Sequence, residues 1–203
     1  MNPNECEYIV VNGILTHPSD TQAWTDRAER WYQDRNIICT RYEYFSGALT
    51  RFWGQGRRVN QIKDLLLEIE KPIVYIGHSN GCELFTRLIK STKIEFEAVH
   101  LLAAATESDF EDNGYNEAFK ECRINKLYLY CSEMDHTLKK GNQMTGWMKF
   151  LGLGYGALGL YGPKNMSAKA ALNTVVDWQN EYRHSDWFKP WIFSETMQKT
   201  LRT

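Results

Sequence analysis

The sequence predicts an α/β fold in which a mostly parallel sheet of about six strands lies between two layers of helices. Short apolar runs alternate along the chain with longer segments in which apolar residues recur at helical spacing. The first run, Tyr8-Ile9-Val10-Val11, contains no polar residue, as expected of a strand that is buried on both faces of a parallel sheet. We therefore expect a three-layer α/β/α sandwich with right-handed connections between its strands.

A first helix is predicted directly after this strand. Ser19 or Asp20 can cap its N-terminus, and charged residues then occupy one side of the segment while apolar residues recur on the other. The apolar positions are Ala23, Trp24, Ala28, Trp31 and Tyr32. This pattern is typical of an amphipathic helix that covers a sheet.

The same alternation continues along the chain and predicts the remaining elements. Further strands are expected at Ile37–Tyr44, Ile73–Ile76, Ala98–Leu102, Leu127–Cys131 and Thr174–Gln179. Helices are expected at Val59–Glu70, Gly81–Lys90, Tyr115–Cys122 and about Ser194–Leu201. The region from Lys139 to Ala171 is less regular. Because no repeat, linker or low-complexity segment divides the chain, we expect residues 1–203 to form a single domain.

Composition and charge argue against several classes of function. The chain has 24 Lys and Arg residues against 25 Asp and Glu, so its formal net charge is -1. A nearly neutral chain with scattered basic residues provides no long-range attraction for phosphate backbones, so we expect no nucleic acid partner. Apolar residues make up 43% of the chain, which is enough to fill a core at this length. A folded enzyme or binding domain is therefore the expectation.

Cysteine usage and hydropathy predict a cytoplasmic protein. The five cysteines are odd in number and widely spaced, which favours neither a disulfide framework nor a zinc ribbon. The longest uncharged stretch, Phe150 to Pro163, is shorter than the roughly 20 apolar residues of a membrane-spanning helix. The N-terminus shows no export signal, and no histidine, cysteine or acidic pair has metal-ligand spacing. We expect no membrane span and no metal.

The most informative stretch is Gly77-His78-Ser79-Asn80-Gly81, between a predicted buried strand and a predicted helix. A strand that turns at once into a helix holds the middle residue in a strained conformation, lifts its side chain above the sheet, and needs small neighbours for close backbone approach. The helix N-terminus also directs backbone N–H groups at developing negative charge. The pattern predicts a nucleophile at Ser79, the alternative being a glycine-rich turn without chemistry.

This segment resembles the nucleophile elbow of the α/β-hydrolase superfamily, specifically its small serine hydrolases without a separate lid domain. The resemblance implies a minimal α/β-hydrolase fold and a catalytic triad in the chain order serine, acid, histidine. Asp135, in the loop after strand Leu127–Cys131, occupies the matching position of the acid, and Glu133 is its competitor. His184 is the only histidine beyond the last predicted strand, where the family keeps its base, although Arg183 replaces the usual glycine.

The same resemblance implies an oxyanion hole made of two backbone N–H groups. One belongs to Asn80, the residue after the nucleophile. The first βα loop, Val11-Asn12-Gly13-Ile14-Leu15, looks like the H-G-x turn of similar hydrolases, with Asn12 in place of histidine. We assign the second N–H to Ile14 and interpret Leu15 as a neighbouring substrate-binding residue. A plain Asn-Gly turn is the alternative interpretation of this loop.

Other residues are interpreted as parts of a substrate pocket. The loop that carries His184, Tyr182 to Phe188, is called the base loop. His78, inside the elbow, and Trp187, in the base loop, are expected to bind substrate, and His136 is expected to line the pocket. The segment from Phe150 to Tyr161 is a candidate for one wall of an acyl pocket, or for tight backbone packing against the sheet. Its G-x-G-x-x-G spacing lacks the βαβ context of a dinucleotide site, so we expect no cofactor.

Together these residues predict a serine hydrolase that acts on a small-molecule carboxylic ester, or second on a thioester, through an acyl-enzyme formed on Ser79. Two alternatives stay open from the sequence. The same fold and residues serve amide hydrolysis, C–C bond cleavage and acyl transfer, and a non-catalytic binding protein can retain the elbow.

Overall fold

The computed structural model describes residues 2–13, 24–44, 54–144 and 156–203. Within these ranges the strands are β1 (Glu7–Val11), β2 (Ile38–Tyr42), β3 (Ile73–His78), β4 (Phe96–Leu102), β5 (Ile124–Cys131) and β6 (Thr174–Trp178). They form one sheet in the order β2-β1-β3-β4-β5-β6, and every neighbouring pair is parallel. The predicted parallel sheet of about six strands is confirmed.

Helices connect and cover these strands. They are α1 (Trp24–Gln33), α2 (Gln55–Leu67), α3 (Asn80–Ser91), α4 (Tyr115–Lys120), α5 (His136–Met144), α6 (Leu158–Tyr161), α7 (Ala168–Asn173) and α8 (Pro190–Lys199). No helix in the described ranges is long and apolar enough to cross a membrane.

The core lies on both faces of the sheet, because successive strand residues point to opposite sides. On one face, Ile9 and Tyr75 belong to the apolar cluster that contains the buried side chains of α2, α3 and α4. On the other face, Val10 and Ile76 belong to the cluster that contains the buried side chains of α1 and α8. The predicted three-layer α/β/α arrangement is therefore present, and the apolar runs of the sequence are its central strands.

Two predicted helices begin later than the observed ones. Helix α2 begins at Gln55 rather than Val59, because Gly54 turns the chain with φ 81° and a polar first turn precedes the apolar periodicity. Helix α8 begins at Pro190 rather than Ser194, since proline is suited to the first helical position. Helix α6 lies within the region from Lys139 to Ala171 that the sequence showed only as irregular, and helices α5 and α7 overlap its two ends. The predicted caps Ser19 and Asp20 lie outside the described residues.

Candidate active site

Ser79 lies at the junction between β3 and α3 in a strained backbone conformation, with φ 53° and ψ -117°. Such a conformation costs a non-glycine residue about 1–3 kcal/mol and persists only where the surroundings enforce it. Here the Ser79 N–H donates to the Leu102 carbonyl at 3.0 Å, and the Ser79 carbonyl accepts from the Ala105 N–H at 3.1 Å. The backbone of Ser79 is thus hydrogen-bonded through both its N–H and its carbonyl, to the last residue of β4 and to a residue just beyond it.

The glycines around Ser79 are required by close approach. A Cβ atom on Gly81 would lie 2.6 Å from the Val11 carbonyl oxygen, so the first turn of α3 packs directly on the end of β1. A Cβ atom on Gly13 would lie 2.9 Å from the Cβ of Ser79. The first βα loop therefore passes against Ser79, the predicted nucleophile, where a second oxyanion donor is expected.

The structure brings Ser79, His184 and Asp135 into one hydrogen-bonded line. The Ser79 Oγ and His184 Nε2 atoms are 2.9 Å apart, and the His184 Nδ1 and Asp135 Oδ2 atoms are 2.7 Å apart. A carboxylate only accepts hydrogen bonds, so Nδ1–H donates to Asp135 and Nε2 accepts from the serine hydroxyl. This is the geometry that a general base needs beside a nucleophile.

Asp135 is oriented by the start of helix α5. Its second oxygen, Oδ1, accepts from the Leu138 N–H at 2.9 Å, and the carboxyl group is 1% exposed. Both carboxylate oxygens of Asp135 therefore accept hydrogen bonds. Because Oδ1 caps the start of α5, the carboxyl group is held in one orientation, and this fixes the position of Oδ2 beside His184. Glu133, the competing acid, is exposed to solvent.

Side chains from distant parts of the chain hold the loop that carries His184. The His78 Nε2 and His184 carbonyl oxygen are 2.9 Å apart. The Arg27 guanidinium donates to the Phe188 carbonyl at 2.6 Å, and the Ser132 hydroxyl donates to the Tyr182 carbonyl. Three backbone carbonyls of the base loop are thus bound by side chains of other elements, which limits how far His184 can move.

The loop does not require a glycine at Arg183. Among the described non-glycine residues, those with positive φ are Asn36, Ser79, Ala103, Cys122 and Asn165. Arg183 adopts an ordinary conformation instead, and its N–H donates to Asp186 Oδ2 at 3.0 Å. With arginine in place of the usual glycine, the turn is therefore stabilised by the hydrogen bond from the Arg183 N–H to the Asp186 side chain.

His78 lies beneath the base loop and is 7% exposed. Its ring meets the Phe188 ring edge to face, with centroids 4.8 Å apart, and Phe188 stacks on Trp24 at 4.4 Å. Burial, together with the smaller effect of the nearby His184 ring, lowers the pKa of His78 to about 3, against the opposing effect of the hydrogen bond to the His184 carbonyl. His78 is therefore neutral near pH 7.

Asn80 is the first residue of α3, and its N–H belongs to the helix N-terminus, where backbone N–H groups have no acceptor within the helix. Its buried side chain donates through Nδ2 to the Tyr44 hydroxyl at 2.6 Å and accepts from Gln55 Nε2 at 3.3 Å. The start of α3 is thus pinned from two sides. Ile14 and Leu15, the other predicted residues of this part of the site, lie outside the described residues.

Trp187, which the sequence predicts to bind substrate, has its side chain in the core instead. It is 1% exposed and lies in the core, with its ring edge-on to Tyr182 and Tyr130 at centroid distances of 4.9 and 5.9 Å. It supports the loop from inside the molecule. His136 is exposed at the first position of α5. Of the proposed acyl wall, Phe150 to Tyr161, residues 150–155 lie outside the described residues.

Sequence reasoning missed the side chains that support the site. Asp186 and Ser132 lie in the base and acid loops, and their types, common in turns, are a signal that could have identified them. Arg27 and Tyr44 carry no such signal, because each acts on a residue far along the chain. Among the described residues, no cluster of three or more histidine, cysteine or acidic side chains could hold a metal ion.

Comparison with solved structures shows that the chain has the α/β-hydrolase fold, as the sequence resemblance implied. A monoacylglycerol lipase from Paleococcus ferrophilus superposes with a TM-score of 0.58 at 10% identity, covering 98% of this chain and 95% of the lipase. A protein predicted to be a CIB-like hydrolase from Thermoplasma acidophilum gives 0.57 at 13% identity, covering 99% of this chain and 86% of that one.

A third similar structure is the fluorophosphonate-binding serine hydrolase F of Staphylococcus aureus. It gives a TM-score of 0.54 at 11% identity, and the match covers 100% of this chain and 86% of the hydrolase. No protein-family model matches the chain, and no curated protein matches it. The likeness to these solved structures therefore lies in the fold.

Proposed function

We propose that the protein is a serine hydrolase that cleaves small carboxylic esters, with thioesters as the second substrate class, through an acyl-enzyme on Ser79. The observation that carries the proposal is the hydrogen-bonded line from Ser79 through His184 to Asp135, with distances of 2.9 and 2.7 Å. Residues from three separate loops meet there in catalytic order, and a protein that needs only its shape has no use for that order.

The residues have distinct roles in the proposed reaction. The Ser79 Oγ attacks the acyl carbon while its proton passes to His184 Nε2, and Asp135 stabilises the resulting imidazolium through Nδ1–H. The N–H groups of Asn80 and Ile14 donate to the oxyanion of the tetrahedral intermediate. His184 then returns the proton to the leaving alcohol or thiol, and the acyl group stays bonded to Ser79.

Water completes the cycle by the same route. His184 Nε2 takes a proton from water, whose oxygen attacks the acyl carbon. As the second tetrahedral intermediate breaks down, His184 gives that proton to the departing Ser79 Oγ, which releases the carboxylic acid and restores the free Ser79 hydroxyl. Each proton transfer takes place between His184 and Ser79, the leaving group or water. The proposal therefore needs no cofactor, and we propose that residues 1–203 act as one domain.

The names of similar structures support the ester class. They include a carboxyl esterase, a monoacylglycerol lipase and a fluorophosphonate-binding serine hydrolase. The side-chain chemistry agrees with those names, since an activated serine beside helix N–H groups suits attack on an acyl carbonyl.

The test is labelling by a fluorophosphonate probe followed by ester hydrolysis. Wild-type protein should be labelled and Ser79→Ala should not, whereas Ser91→Ala, at the far end of the same helix, should be labelled like wild type. A panel of chromogenic esters of increasing acyl length then defines the substrate, with Ser79→Ala as the blank. Equal labelling of wild type and Ser79→Ala would refute the proposal.

A further inference from the structure

Among the described residues, the side chain of His78 is hydrogen-bonded to the backbone of the residue proposed as the base. His78, the last residue of β3, lies 106 positions before His184 in the chain, and its Nε2 is 2.9 Å from the His184 carbonyl oxygen. The two rings are also neighbours, with centroids 4.9 Å apart. His78 therefore contacts the backbone carbonyl and the ring of His184, whereas the two ring nitrogens of His184 face Ser79 and Asp135.

The chemistry of the two groups determines the direction of this bond. A backbone carbonyl only accepts, so His78 must carry its proton on Nε2 and donate it. The ring is almost entirely buried among Trp24 and Phe188, where a charged imidazole would be costly. A neutral donor in this position leaves the surroundings of His184 free of a second positive charge when His184 takes the serine proton.

We propose that His78 is a positioning residue for the base: its Nε2–H holds the His184 carbonyl and thereby sets the height of the His184 imidazole above Ser79. This inference rests on the proposed function. Ser79 and His78 are consecutive, so the same strained junction that raises the nucleophile also aims the donor at the base loop. One short segment thereby sets both partners of the proton transfer.

Packing alone is the alternative explanation of His78, and a pair of substitutions separates the two. His78→Phe keeps an aromatic ring against Phe188 and Trp24 and removes the donor. His78→Gln loses the ring but places its amide N–H near the position of the histidine Nε2. If the hydrogen bond positions His184, His78→Gln should retain activity and His78→Phe should lose it. If the ring contacts are what matters, His78→Phe should be the more active of the two variants.

The experiment compares kcat, KM and Tm of wild type, His78→Gln and His78→Phe on the best chromogenic ester. We expect kcat of His78→Phe to fall about 10- to 100-fold with KM nearly unchanged, since small displacements of a catalytic group have costs of this size. The kcat of His78→Gln should stay within about threefold of wild type, because the hydrogen bond is retained. A loss in His78→Gln equal to or greater than that in His78→Phe overturns the inference, and so does an unchanged kcat in both.

A second readout does not depend on turnover. Long-range ¹H–¹⁵N NMR spectra of the wild-type protein should show His78 neutral and protonated on Nε2 near pH 7. The His184 ring signals should shift in His78→Phe and stay close to wild type in His78→Gln. An Nδ1-protonated His78, or His184 signals that do not respond to the loss of the donor, overturns the inference even if a variant fails to express.

The two proposals fail in different ways. If wild-type protein is neither labelled at Ser79 nor active on any ester, the proposed function fails, and the NMR spectra still decide whether His78 holds His184. If wild type is active and the two variants rank in the wrong order, only the role of His78 fails.

Discussion

The nucleophile and the base of the proposed triad are held by different kinds of interaction. Ser79 is held by backbone hydrogen bonds, from its N–H to the Leu102 carbonyl and from the Ala105 N–H to its own carbonyl. Gly81 allows the first turn of α3 to pack closely against the end of β1. His184 is held by side chains from other elements, with Asp135 on its ring and His78 on its carbonyl.

This difference predicts how each part of the site responds to substitution. Close backbone packing leaves no room for an added atom, so a substitution that adds a side chain at Gly81 should act on folding before it acts on chemistry. Side-chain hydrogen bonds can be removed one at a time without filling space, so substitutions around His184 should act on catalysis in a protein that still folds.

The largest effect is expected on the base side, from Asp135→Asn. The amide can present its NH₂ to His184 Nδ1 and so favour the wrong tautomer, as is known for acid-to-amide changes in such triads. We expect kcat to fall about 10³- to 10⁴-fold with little change in Tm. Steady-state kinetics and thermal unfolding measure the two quantities.

Glu133→Gln is the matched control for this change, because it makes the same chemical substitution in the same loop at an exposed residue. Its kcat should be close to that of wild type. If Glu133→Gln loses more activity than Asp135→Asn, the acid of the triad is Glu133.

The next largest effect is expected in the elbow, from Gly81→Ala. Its new Cβ would lie 2.6 Å from the Val11 carbonyl oxygen and 2.9 Å from the Asn12 carbonyl oxygen, both backbone atoms that cannot rotate away. We expect the free energy of unfolding to fall by about 3 kcal/mol, the usual upper cost of overpacking. Urea unfolding followed by circular dichroism measures it.

Gly56→Ala, in the first turn of helix α2, is the control for this glycine. A Cβ there meets no atom within 4 Å, so the substitution should leave stability unchanged or raise it by about 0.5–1 kcal/mol through helix propensity. Equal effects of the two substitutions would mean that the elbow is not packed as tightly as the distances indicate.

The same contrast explains how much of the site could be predicted from the sequence. The elbow is a local structure, since Gly77, Ser79 and Gly81 lie within five residues between a strand and a helix. Its position at the carboxyl end of β3 follows from the apolar run before it. Resemblance to similar hydrolases then indicated Asp135 and His184, and their roles stay proposals that the kinetics will test.

The supporting contacts could not be predicted, because they join residues far apart in the chain. Nothing near His78 shows that its partner is the carbonyl of His184, and nothing near Arg27 indicates Phe188. Trp187 illustrates the same limit, since an aromatic residue in a functional loop can point into the core as readily as into a pocket. Helix starts were also misjudged where a polar first turn hides the apolar period, as in α2.

The smallest effect concerns stability in acid and compares the site with a second buried histidine one strand away. His100 in β4 is bonded through Nδ1 to the Tyr130 hydroxyl at 3.0 Å and through Nε2 to the Arg202 carbonyl at 3.1 Å. Burial lowers the pKa of His78 and of His100 from 6.5 to about 3. Neither imidazole becomes charged in the folded protein until the pH falls well below the range in which it becomes charged in the unfolded chain.

The sign of the effect follows from proton uptake. Between pH 6.5 and about 3 the unfolded chain binds protons at these histidines and the folded protein does not, so each stabilises the fold fully above pH 6.5 and less as the pH falls. At pH 5 the loss is about 2 kcal/mol for each histidine. His100→Gln should remove the contribution of His100 to this pH dependence of stability. It should leave the pH profile of ester hydrolysis unchanged, because the hydrogen bonds of His100 are made to Tyr130 and Arg202 and not to the residues of the site. Urea unfolding at pH 7 and pH 5 measures the difference, and an equal loss of stability in wild type and His100→Gln would contradict the assignment of His100 as a buried neutral group.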